Sequence, residues 1–104
     1  MKLRILDLAE ADLLEGFRFY EQQSRGLGWY FLETLHSDIE SLRLYAGIHR
    51  RVFGYYRMLS KRFPFGVYYD VHHEEVSIWR VLDCRRNPPW IRQQLAKGRA
   101  APPH

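Results

Sequence analysis

The side chains best equipped for chemistry are basic ones, and they crowd the second part of the chain: Arg50, Arg51, Arg57, Lys61, Arg62, Arg80, Arg85 and Arg86. Residues 1–42 hold 4 basic and 8 acidic side chains, a balance of −4; residues 43–104 hold 12 basic and 4 acidic, a balance of +8. A molecule charged this unevenly attracts an anion through its C-terminal part, either a nucleic acid or an acidic protein segment. A solvated basic face with no partner is the plain alternative. Other chemistries find less support. His72-His73-Glu74 lacks a fourth ligand at suitable spacing, so no metal and no cofactor is expected. Cys84 lies beside Arg85, which would lower a thiol pKa, but without a partnered histidine a buried structural cysteine is the better expectation. Tyr55, Tyr56, Tyr68 and Tyr69 read as sheet packing, and the two histidines as an exposed turn. There is no Gly-rich phosphate loop and no Ser/His/Asp pattern.

These residues need a scaffold, and 104 residues at 46% hydrophobic and 15% aromatic suffice for one domain with a core. A domain over 1–96 and a flexible tail over 97–104 are expected. Leu3, Ile5 and Leu6 suit a first strand. Asp7, with Glu10 three residues on, has the form of a capping box opening a helix over 8–23, along which Leu13, Phe17 and Tyr20 recur at helical spacing. Ser24 to Gly28 is turn chemistry. Leu32, Leu35, Ile39 and Leu42 then mark a second helix over 28–45, and so short a loop makes the two an antiparallel hairpin. After Gly47 the period changes. Residues 52–59, 63–71 and 76–82 are rich in β-favouring types, with His72 to Glu75 as a hairpin turn. Asn87-Pro88-Pro89 ends the sheet, and Trp90, Ile91, Gln94 and Leu95 form a last helical turn or two. The order β-α-α-β-β-β with a short C-terminal helix predicts an α+β fold: a mostly antiparallel sheet with the helical hairpin on one face. Its strand tips would gather the arginines into one cationic surface. No apolar run reaches membrane-spanning length, the acids at Asp7, Glu10 and Asp12 argue against a secretory signal, and one cysteine forms no internal disulfide, so a cytoplasmic protein is expected.

The run Arg57-Met58-Leu59-Ser60-Lys61-Arg62-Phe63-Pro64-Phe65-Gly66-Val67-Tyr68-Tyr69 resembles a signature of the RelE/ParE (plasmid stabilisation) toxin superfamily, in which basic residues precede Phe-Pro-aromatic and a strand follows. Val76 to Leu82 leading into Asp83-Cys84-Arg85-Arg86-Asn87-Pro88 resembles the same family's last strand and its arginine pair. The likeness spans about residues 3–95. It implies the toxin of a type II toxin–antitoxin system, bound by a cognate antitoxin in a hetero-oligomer. Within the family, RelE-like members cleave messenger RNA on the ribosome, and ParE-like members poison DNA gyrase without known catalysis. A nuclease needs cations for the phosphate and a base for the 2′-hydroxyl. The resemblance would put Arg57 and Arg86 in that machinery. Gly66, however, stands where nucleases place a phosphate-binding arginine, and Arg92 where they place a catalytic tyrosine. The chain is therefore expected to be ParE-like, with an endoribonuclease or an inactive antitoxin-binding module as alternatives. Arg57, Lys61, Arg62, Arg80, Arg85 and Arg86 are the expected contacts to target or antitoxin, although Arg85 is also placed to pair with Asp83.

Overall fold

The structure, a computed structural model, describes residues 1–100, with side chains as far as Lys97. The elements are β1 (Lys2–Ile5), α1 (Asp7–Gln23), α2 (Leu27–Glu40), α3 (Leu42–Tyr45), β2 (Arg51–Val52), β3 (Tyr55–Leu59), β4 (Phe65–His72), β5 (Glu75–Asp83) and α4 (Pro88–Ala100). The strands form one sheet in the order β1-β5-β4-β3-β2. Every pairing is antiparallel except β1 with β5, which is parallel. This is the expected α+β architecture. Helices α1 and α2 fold back on each other and cover one face of the sheet. Their approach is close: a Cβ on Gly16 would stand 2.5 Å from the Phe31 ring, and one on Gly28 would stand 2.6 Å from the Phe17 carbonyl oxygen. The Glu21 carboxylate accepts from the Gly26 and Gly28 N–H groups, so α1 itself caps the start of α2.

Alternation in the strands sorts the core into two layers. Phe65, Val67, Tyr69, Val76, Ile78 and Val81 face Ala9, Leu13, Tyr20, Phe31, Leu35, Ile39 and Leu42 of the helices. On the other face Tyr55, Tyr68 and Leu82 meet Ile91 and Leu95 of α4. A bulge between Tyr68 and Tyr69 shifts the β4–β5 register.

Several local expectations are corrected. Leu6, not Asp7, holds the cap position of α1, and Asp7 is its first helical residue. The second helix is interrupted at Ser41, whose hydroxyl donates to the Asp38 carbonyl at 2.6 Å; this side-chain competition for a backbone acceptor loosens the helix locally. The strand expected over 52–59 is a hairpin, β2 and β3, turning at Phe53 (φ 52°) and Gly54 (φ 89°). Two left-handed residues in sequence match the twist of the flanking strands. Finally, α4 is longer than a turn or two. Asn87 accepts the Trp90 N–H at 2.9 Å through its side-chain oxygen, and Pro88 sits where a helix tolerates a missing donor. The expected tail thus starts too early: 97–100 is helical, and 101–104 lies outside the described residues.

Candidate functional site

The β3–β4 loop, the start of β4 and the end of β5 share one end of the sheet. Phe65 pairs with Asp83, Leu59 with Gly66, and the Cys84 N–H donates to the Pro64 carbonyl at 2.7 Å. Lys61, Arg62, Arg85 and Arg86 therefore meet at that end, and Arg57 is two residues from it on β3. They differ in orientation and in partners. Arg62 turns to α2, donating to the Tyr30 hydroxyl at 2.8 Å. Arg85 closes on Asp83 at 2.8 Å; burial alone would raise the Asp83 carboxyl, but these Arg85 contacts outweigh it and hold the group low. Arg86 stacks its guanidinium 3.9 Å from the Trp90 ring centroid. It lines a cleft of about 340 Å³ with Phe19, Asp83 and Gln94, among others.

Arg80 leaves the set. It is buried, bonded through two nitrogens to the Asp12 carboxylate at 2.8 Å each, and donates to the Gln94 carbonyl at 2.7 Å. Asp12 also accepts the Val81 N–H at 3.0 Å, on the edge of β5 beyond the point where β1 ends. Arg80 is a strut between α1, β5 and α4; it borders the cleft that Arg86 lines, but its donors are engaged by Asp12 and Gln94.

Arg57 lies on the α4 side of the sheet, opposite Tyr68 in the β3–β4 register. Gly66 gives it room: a Cβ there would stand 3.0 Å from Cys84 Sγ and 3.1 Å from Arg57 Cγ. The glycine noted as replacing a cationic residue is thus the floor beneath another cation's stem. Tyr68 and Cys84, the ionisable groups packed against Arg57 on this face, do not suit a base, while His49 lines a groove that Arg57 also borders. Burial pushes the Tyr68 phenol up, with Cys84 adding to it and Arg57 opposing. Burial likewise pushes the Cys84 thiol up, Arg57 again opposing. Both groups stay protonated at neutral pH. His72 and His73 pack ring on ring at the β4–β5 turn, at the other end of these strands.

The sequence reading missed an apolar strip. Leu44 (81% exposed), Ile48 (74%), Tyr45 and Leu59 are large, apolar and open to solvent. Tyr45, Ile48, Met58 and Leu59 line a groove of about 450 Å³ whose polar members include Lys61 and Asp38. The edge of β3 is open beside it. β2 pairs only with Tyr55 and Tyr56, the Arg57 N–H reaches the Arg50 carbonyl, and Leu59, facing the same way two residues on, has no strand beside it. Asp38 of α2 is buried despite its charge and accepts from Ser60 Oγ at 2.7 Å, holding the β3–β4 loop against α2. No helix among the described residues is long and apolar enough to cross a membrane.

No family model matches the sequence, and no curated protein sequence matches it significantly. A solved chain described as "Chromosomal ParDE TA system from P. aeruginosa" is similar in structure, with a TM-score of 0.69 and 24% identity over 78% of this chain and 92% of that one. The chain therefore shares its fold with a component of a ParDE toxin–antitoxin system.

Proposed function

We propose that the chain is the toxin of a type II toxin–antitoxin pair, ParE-like, acting in the cytoplasm by inhibiting DNA gyrase without catalysis and neutralised by an antitoxin. The observation that carries the antitoxin is the exposed apolar strip beside the open β3 edge. An apolar patch of this kind marks an interaction surface, and an unpaired strand edge is a template for an added strand. An antitoxin segment that is extended, apolar on one side and acidic on the other would bond to the Leu59 backbone, bury Ile48 and Leu59, and meet Lys61 and Arg62 at the rim. The shared fold supports the toxin. Gly66 and Arg92, standing where a nuclease would need a cation and a tyrosine, support ParE-like inhibition over the RelE-like nuclease reading. Tyr68 and Cys84 beside Arg57 hold their protons at neutral pH, which leaves His49, lining the same groove as Arg57, as the group the nuclease reading would need as a base.

The test is expression in a bacterial host with and without the candidate antitoxin. Growth arrest relieved by the antitoxin is expected. Ile48→Glu with Leu59→Glu should keep the arrest and lose the relief. No arrest at all would favour an inactive antitoxin-binding module, and relief untouched by the two substitutions would remove the groove from the account.

A further inference from the structure

We propose that α4 is a detachable lid, leaving the second face of the sheet as a unit while α1–α3 and β1–β5 stay folded. The main core is complete without it: the layer between the sheet and helices α1–α3 includes no α4 residue. What α4 buries, chiefly through Ile91 and Leu95, is a separate small cluster with Tyr55, Tyr68 and Leu82. A segment held by a separate cluster opens at lower free energy than the global fold.

The closed state is also incompletely satisfied. Tyr68 is fully buried, and its hydroxyl makes no well-formed hydrogen bond among the described residues, its polar neighbours being only the Arg57 guanidinium and the Cys84 thiol. Arg57, across the strand pair, has its Nε buried and unpartnered as well. A buried donor left unpaired costs free energy that water would return on opening. Phe53, in the β2–β3 turn, packs its ring on the α4 cluster under the Arg92 guanidinium, 4.8 Å away, a contact that opening would release. Against opening stand the Arg80 bond to the Gln94 carbonyl and the Arg86 stack on Trp90. Both are polar contacts that water replaces in part. Undocking bares an apolar face with the Arg57 guanidinium beside it, a surface the closed form hides.

Native-state hydrogen exchange on the full chain tests this. Amides of α4 should exchange roughly a hundredfold or more faster than those of β4 and β5, through an opening that leaves the sheet protected. Tyr68→Phe removes the hydroxyl and keeps the ring, so it should slow α4 exchange by roughly fivefold to a hundredfold compared with α4 of the unaltered chain. Leu95→Ala should speed α4 exchange at least about tenfold and speed β4 and β5 by no more than the same factor, so that the gap between the two regions persists. Exchange of α4 at the rate of the sheet overturns the proposal. So does a Tyr68→Phe variant with unaltered α4 exchange, or a Leu95→Ala variant whose α4 exchange does not accelerate.

Discussion

Replacing Asp12 by asparagine keeps the side chain's shape and removes its charge from the buried Arg80 pair. The two side chains are 8% and 9% exposed and meet at 2.8 Å, so little water is available to take over. Leaving one member of a buried pair without its counter-charge costs about 3–5 kcal/mol. Arg80 keeps its bond to the Gln94 carbonyl, which puts the expected loss near the lower end of that range, about 3 kcal/mol. Such a loss is a large part of the about 5–15 kcal/mol that holds a domain folded. Urea denaturation at pH 7 reads it directly. The double variant Asp12→Leu with Arg80→Met removes both charges at similar volume and should recover part of the loss, because no charge is left buried. Recovery stays incomplete because the Val81 N–H loses its acceptor, at about 1–3 kcal/mol. A loss under about 1 kcal/mol for Asp12→Asn, or a double variant no more stable than the single one, would refute the reasoning and return Arg80 to the docking surface.

At the β4–β5 turn His73 (φ 49°) and Glu74 (φ 59°) both occupy the left-handed region; His73→Asn with Glu74→Gly should raise stability by about 1–2 kcal/mol, and a lower thermal midpoint would contradict the turn assignment. His49 is pushed below the ordinary imidazole value by burial. Tyr69 accepts the Gly47 N–H, which leaves its own proton for His49 Nδ1, 2.6 Å away, so the neutral ring is the one that fits. The unfolded chain then takes up its proton first as pH falls. Stability from this site is full above about pH 6.5 and declines below it, until the folded protein protonates too. The His49→Gln variant should show a shallower loss of stability over that window in parallel urea melts, and an unchanged slope would exclude the site.

How much of this was legible in the sequence depended on the range of the signal. β-favouring residue types in 63–71 and 76–82 placed β4 and β5, and the helical spacing of Leu13, Leu35 and Ile39 placed the main core, because both signals are local. The Phe53-Gly54 turn was hidden inside an apolar run, since the usual asparagine is absent and only the glycine marks it. Asn87-Pro88-Pro89 ends the sheet and also opens α4, because an asparagine cap followed by proline is a helix start as well as a strand stop. The partners of Arg80 and Asp38 had no local mark at all. Asp12 is 68 residues from Arg80, and Ser60 is 22 from Asp38, so only the assembled fold separates these structural charges from docking ones. The exposure of Leu44 and Ile48 was invisible for the same reason, because composition does not tell an apolar residue on a docking strip from one in the core.

The most direct test of the proposed toxin is to titrate purified chain into DNA gyrase with relaxed plasmid, with and without the antitoxin. The account predicts that supercoiling falls as the chain is added and returns when the antitoxin is supplied in excess, with ribosome-bound messenger RNA left uncut in a parallel translation reaction. Unchanged supercoiling together with cleaved messenger RNA would contradict it, and would make the Arg57 end of the sheet a nuclease site.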